Sequence, residues 1–445
     1  MQARLTRRMA GVLSARLPEL TLGAVADPRN KRGLRWKSLL PLLNATLAGI
    51  VAGCKSFAET EKLTSEMSRP MAKQLGIPRR VPDTTLRDTF VELDPNEIRY
   101  RIHDQIHAAH RRHALTPKGL PFGVCAIDGK YTSLEDWDEA RTQGKHWDLE
   151  WNECYGQQHE HANGNSSSRR VGTMTCSLIS SSAKPCIDAI PIPAKTNEMG
   201  HFEEVLSNLH AAYGGLGMYR MYSMDAGMCS EANGRLIVCT YQLDYLFGLK
   251  DNQPTLRLEA ERLLADRTTP DAETEDVVGK HIVKRRLYQS EEIAGYMDWT
   301  HLKTVLRVES TKTVIETGDV VAHENRYYLS SLAGDRLNSK QWLHLIRSHW
   351  GVENNCHNTW DTAFAEDERP WITSNPKGMI NVLLFRRLAY NIVTFFRSVT
   401  QRSEEARRTP WKDILRWFYN TLVSATTVDL SQLRKRRKTS AAQLT

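Results

Sequence analysis

Two apolar runs that each close on an aspartate constrain the fold of this chain more than any other feature. Pro121–Asp128 reads PFGVCAID and Met218–Asp225 reads MYRMYSMD. Short apolar runs bounded by turn formers are buried strands. Around them VGTMTCSLISSS and KPCIDAIPIPA predict two more strands, with a turn near Ser181–Lys184. NEMGHFEEVLSNLHAAYG predicts a helix, SEANGRLIVCTYQ a second, LDYLFGLK a strand and PTLRLEAERLLADR a further helix. Strands alternating with helices, with polar residues at the strand ends, define an α/β class with a mixed sheet flanked by helices. Carboxylates at the C-terminal ends of such strands project into the crevice where these folds place ligands, so Asp128 and Asp225 are candidate site residues. Gly129 would let the chain turn away sharply after Asp128.

The rest of the chain is of a different character. Residues 1–115 predict a helical N-terminal domain: Leu39, Leu40, Leu43, Leu47, Ile50 and Val51 recur at helix spacing, and Asp83 would cap a helix that aligns Leu86, Phe90 and Leu93. Residues 116–266 predict the first part of the α/β core, interrupted by a polar surface insertion over 135–170. Residues 267–337 predict a β-rich insertion or an extension of the sheet, with strands in HIVKRRLY, LKTVLRVES and NRYYLSSL. Residues 338–400 return to helix as the last part of the core, and 401–445 are expected to be a basic C-terminal tail.

Net charge is +8, concentrated at Arg29–Lys37 and Arg434–Lys438, which implies a polyanionic partner, nucleic acid before membrane. The longest charge-free run of the N-terminal part, Ser38–Cys54, is 17 residues and falls short of the roughly 20 that a membrane helix requires. Eight cysteines are scattered without a CxxC pair, the pattern of reduced thiols rather than of a zinc ribbon or a disulfide framework.

HWGVENNCHNTWD, His349–Asp361, places His349, Glu353, His357 and Trp360 along one helical face. If that helix packs across the sheet, Glu353 joins Asp128 and Asp225 in an oxygen-rich site suited to Mg²⁺ or Mn²⁺. A rival reading is a metallohydrolase using His349, Glu353, His357 and Cys356, although no HExxH occurs and the two histidines lie eight apart. Lys130, Lys250, Asn252, Gln253, Arg347, His349 and His357 are candidate DNA-backbone contacts or supports of the carboxylates. A basic scaffold protein would have little reason to end two strands on aspartate.

The order IDGK, KTNEMGHFEEVL, SMDAG, YLFGLKDNQPTL, RYYLSSL and IRSHWGVENNCHNTWDTAFAED resembles bacterial insertion-sequence transposases of the DDE type. The N-terminal DPRNKRGLRWKSLLPLLNATLAGIVAGCKSFAETEKL and PDTTLRDTFVELDP resemble the helical transposase-associated domain found in one group of them. The similarity runs over roughly residues 25–395. It implies a ribonuclease H-like core, with the family's acids on Asp128, Asp225 and Glu353 binding two divalent ions. It also implies strand cleavage and transfer at terminal inverted repeats, double-stranded DNA as partner, a homodimer in the synaptic complex, and a cytoplasmic, nucleoid-associated location. The alternative within that resemblance is an inactive, transposase-derived DNA-binding protein.

Three departures stand out. Cys356 replaces an apolar leucine of the family's ENxLHW. The 135–170 segment is long and acidic. His349 and Trp360 occupy the positions where some relatives carry the arginine and lysine of a hairpin-forming signature, so a hairpin step is not implied.

Overall fold

The computed structural model describes residues 2–30, 35–134, 154–160 and 167–433. Lys31, Arg32, the 434–438 basic cluster and most of the 135–170 insertion lie outside the described residues.

Ten strands form one sheet: β1 (Val124–Leu134), β2 (Gln157–Glu160), β3 (Ser167–Leu178), β4 (Cys186–Ile192), β5 (Met221–Met224), β6 (Asp244–Leu249), β7 (Ala272–Val278), β8 (His281–Ser290), β9 (Thr304–Val314) and β10 (Val320–Ser330). Their order is β2-β3-β1-β5-β6-β10-β9-β8-β7, with β4 also on the outer edge of β3. The centre is ribonuclease H-like. β1, β3 and β4 form an antiparallel meander, and β5 and β6 run parallel to β1 on its other side. The β-rich segment extends this same sheet, because β10 pairs antiparallel with β6.

The helices are α1 (Gln2–Arg16), α2 (Leu40–Val51), α3 (Phe57–Glu66), α4 (Arg69–Leu75), α5 (Asp83–Glu92), α6 (Pro95–Arg111), α7 (Phe202–Tyr213), α8 (Glu231–Arg235), α9 (Pro254–Leu264), α10 (Ser339–His349), α11 (Asn358–Thr362), α12 (Pro376–Phe395), α13 (Glu404–Arg407) and α14 (Trp411–Ser424). Side-chain caps fix several starts: Ser56 accepts from Glu59 N, Asp94 from Asn96 N, and Asn338 with Gln341 closes a capping box on α10. α12 is apolar and long enough by composition to span a membrane, yet every residue in it is buried within the protein. It packs against α2, α5, α6 and β4, joining the N-terminal helices to the sheet. At that junction Arg99 of α6 makes a two-pronged ion pair with the fully buried Asp188 of β4, at 3.0 and 2.7 Å, and His103 Nε2 lies 2.9 Å from the same carboxylate. Burial alone would raise the Asp188 pKa, but Arg99 and His103 reverse this and hold it well below the usual range.

β1 places alternate side chains on two cores. Cys125 and Ile127 join the large cluster shared with α12 and the N-terminal helices. Val124 and Ala126 join a second cluster with Met221, Trp342, Ile346 and Val352. Asp128 continues this second series, so it faces the side of the sheet that α10 covers.

Four sequence expectations need correction. β1 does not end at Asp128: it continues to Leu134, and Gly129 pairs with Met174 inside the ladder. The 135–170 segment is partly strand, since β2 and the start of β3 pair within it. β7 was hidden in the acidic run AETEDVV, where only the pairing with β8 favours extension over solvation. Residues 401–433 are not a tail, because α14 presents Ile414, Leu415, Phe418 and Leu422 to the core and packs on α1.

Candidate active site

Asp128 and Asp225 become neighbours through strand register. β1 and β5 are paired in parallel up to Ile127↔Met224, so the next residues on the two strands are the two aspartates, about one strand spacing of 4.8 Å apart at the backbone. β5 stops there because Asp225 caps the following turn, its Oδ1 accepting from Ala226 N at 2.7 Å. β1 runs on, held by β3.

Glu353 arrives from the opposite layer. After α10 the chain widens into a π-helical turn, Val352–His357, and this turn contacts both β1 and β3. Such widened turns break the regular face of a helix and recur at functional sites. Here Val352 and Cys356 are buried while Glu353 is exposed, and its charge acts on Asp128. The continuous helical face expected from the spacing is therefore interrupted. His349, on α10, shares a 2.9 Å hydrogen bond through Nδ1 with Ser223 of β5. His357 bonds through Nε2 to Thr175 of β3 at 3.0 Å and brings Nδ1 to 3.6 Å from Asp128.

Burial lowers the His349 pKa to about 4 and the His357 pKa to about 3, the latter aided by Lys130 and Arg387. Both rings are neutral at pH 7, so the 3.6 Å approach of His357 to Asp128 is not an ion pair. Asp128 moves the other way. Burial first, then the charges of Glu198, Asp225 and Glu353, push its carboxyl up to about 7. This electrostatic coupling marks the four carboxylates as one acidic neighbourhood.

Glu198 was not singled out by the sequence, although it lies within KTNEMGHFEEVL. Its carboxylate bonds to the Tyr131 hydroxyl, and it occupies the space that a Cβ on Gly129 would fill. That space is the physical reason for a glycine inside β1. A signal existed in principle: a glycine in mid-strand marks a close approach by something else.

The remaining candidates have definite partners. Lys130 is nearly buried, and its Nζ sits between Asp361, at 2.9 and 3.1 Å, and Asp367, at 3.2 Å to both oxygens. Its charge is balanced within the protein. Asn252 donates to Ala226 O at 2.7 Å and Gln253 to Cys229 O at 3.0 Å, tying the loop after β6 to the loop that carries Asp225. Lys250 is exposed on the rim beside Asp225. Arg347 pairs with Asp276 of β7 at 2.8 Å. Trp360 is a core residue, under the Arg387 guanidinium and beside His357.

Cys356 packs among Ser177, Lys184 and Tyr390, and burial raises its thiol pKa. It therefore lies away from His349, and the metallohydrolase set on one helix does not converge. Among the described residues no three His, Cys, Asp or Glu side chains stand close enough to hold a metal ion as they lie. The charged groups that act on Asp128 are nevertheless all carboxylates, the chemistry of a hard divalent cation.

A sequence profile for the family described as transposase DDE domain matches residues 124–392, from the first residue of β1 into the last turns of α12. The chain belongs to the DDE transposases, enzymes that cleave nucleic acid and generally use divalent metal ions. Among solved structures, the cryo-EM structure of the piggyBac transposase synaptic complex with hairpin DNA is similar at 15% identity and a TM-score of 0.37, over 98% of this chain and 80% of that one. A likeness that distant assigns no function. No curated protein matches the chain at a significant level.

Proposed function

We propose that this transposase cleaves DNA strands at the terminal inverted repeats of an insertion sequence and joins the freed ends to a target. The observation that carries this reading is the register that sets Asp128 beside Asp225 on adjacent parallel strands, with Glu353 brought to them by the π-helical turn. Asp128, Asp225 and Glu353 would hold Mg²⁺ or Mn²⁺. Ions bound there supply charge stabilisation for the attacking and departing oxygens of a phosphodiester.

The protein's own groups do the rest. His349, oriented by Ser223 through Nδ1 and kept neutral by burial, leaves Nε2 to meet a phosphate oxygen. Asn252 and Gln253 keep the Asp225 loop in place. Lys250 on the rim meets the DNA backbone. The partners are double-stranded DNA and a second copy of the chain, because joining two element ends calls for two active sites.

The test is incubation with Mg²⁺ and duplex DNA that carries the element's terminal inverted repeats. Wild-type protein nicks at the element boundary, and a chelator abolishes the nicking. Asp225→Asn binds the same DNA without cutting it. Equal cleavage by that variant would overturn the assignment.

A further inference from the structure

Beside Asp225 a cavity of about 250 Å³ opens between β6, β10 and α10, lined by Lys250, Arg257, His349 and Trp350 among others. It meets a second cavity of about 340 Å³ at Arg326, Tyr328 and Trp350, and this one reaches Asn354, the neighbour of Glu353. The two form one groove that passes from Asp225 around the Glu353 turn.

The second cavity is unusual in its charges. Its floor is one face of the extended sheet, where Arg285, Ser310 and Glu324 lie abreast across β8, β9 and β10. Two residues further along β10, Arg326 stands on the same face, with its guanidinium 4.4 Å from the Trp350 ring centre. Arg347 enters from α10. Asp276 serves both Arg285 and Arg347, each at 2.8 Å, and Glu324 serves Arg326 at 2.6 Å. Three guanidinium groups thus share two carboxylates around a hollow, an excess of one positive charge among these described residues. Burial and the mutual repulsion of these cations lower the Arg285 pKa. Both signs of crowding are relieved by an anion.

A hollow of this volume accommodates a unit of nucleotide size, whereas an intact duplex is far too wide to enter. We propose that the Arg285–Arg326–Arg347 cavity binds a backbone phosphate of single-stranded DNA, the unpaired strand that leads away from the phosphodiester at Asp225. The inference rests on the transposase reading and adds to it a path for one strand beyond the cleavage point. Guanidinium groups suit this role because each presents a planar fork to two phosphate oxygens.

The test is fluorescence anisotropy with labelled oligo-dT of about 12 nucleotides, and with a duplex of equal length. Arg285→Ala combined with Arg347→Ala weakens oligo-dT binding by about tenfold and flattens its salt dependence by about 0.7 in log K against log salt, the share of one phosphate. Duplex affinity stays within about twofold. Asp276→Asn has the opposite effect and tightens oligo-dT binding, because it releases both arginines; this arm holds even if the double variant folds poorly. Unchanged oligo-dT affinity in Asp276→Asn, or equal losses for both DNAs in a folded double variant, would overturn the proposal. The two readings fail separately: wild-type protein that nicks duplex ends while these variants bind oligo-dT normally refutes the groove alone. Loss of oligo-dT binding in a protein that cuts nothing refutes the cleavage reading alone.

Discussion

At the scale of single residues, the strongest statement is that Gly129 exists for Glu198. A Cβ there meets the end of a flexible side chain, so Gly129→Ala pushes the Glu198 carboxylate aside without breaking β1. The variant is expected to keep a melting temperature within about 3 °C of wild type, which corresponds to about 1 kcal/mol. Its cleavage rate is expected to fall about tenfold or more. A variant that cuts at the wild-type rate shows that the position of Glu198 does not matter. Asp128 offers a second test, with its sign fixed by linkage. Its folded pKa of about 7 lies above the ordinary carboxylate value. Between roughly pH 4 and 7 the folded state therefore holds a proton that the unfolded chain has lost. The stability this contributes is complete below about pH 4 and is lost as pH rises through about 7. In metal-free thermal scans Asp128→Asn should gain on wild type as pH rises across that window, and Mg²⁺ should narrow the gap by stabilising wild type alone. A constant difference at all pH values would contradict the carboxylate crowding.

At the scale of elements, the two strands that carry Asp128 and Asp225 were legible as apolar runs, although β1 runs on past Asp128. Their register was not legible: nothing in PFGVCAID or MYRMYSMD tells which residues stand opposite. The π-helical turn was hidden for a related reason, since HWGVENNCHNTWD reads as uninterrupted helix and only the packing of Val352 and Cys356 reveals the widening. Glu198 lay inside a quoted motif yet showed no chemistry of its own until Gly129 and Tyr131 were seen against it. The junction of α6 with β4 was equally silent, because Arg99 and Asp188 are far apart in sequence. Asp188→Asn leaves Arg99 buried without its counter-charge and should cost about 3–5 kcal/mol, measured by chemical denaturation. Because the Asp188 pKa is depressed, its contribution is present above about pH 4 and fades as pH falls below that. A loss under about 1 kcal/mol would mean that this ion pair does not hold the helices to the sheet.

At the scale of the whole molecule, the α/β class, the N-terminal helices and the β-rich segment were all legible from periodicity. Two features were not: which strand of the core the β-rich segment joins, and that α14 returns to pack on α1. Each depends on contacts between distant parts of the chain. The net charge of +8 makes a prediction at this scale. Duplex binding should weaken by about a thousandfold between 50 and 200 mM salt if six or more phosphates are contacted, as read by filter binding or anisotropy. A salt-insensitive affinity would exclude backbone contacts as its main source. The central claim, that Asp128, Asp225 and Glu353 form one cation-dependent DNA-cutting centre, has its most direct test in strand cleavage itself. With duplex DNA ending in the element's inverted repeats, wild-type protein should nick at the boundary in Mg²⁺, and Asp128→Asn, Asp225→Asn and Glu353→Gln should each bind that DNA and leave it whole. Cleavage that survives any one of these substitutions at the wild-type rate would contradict the account.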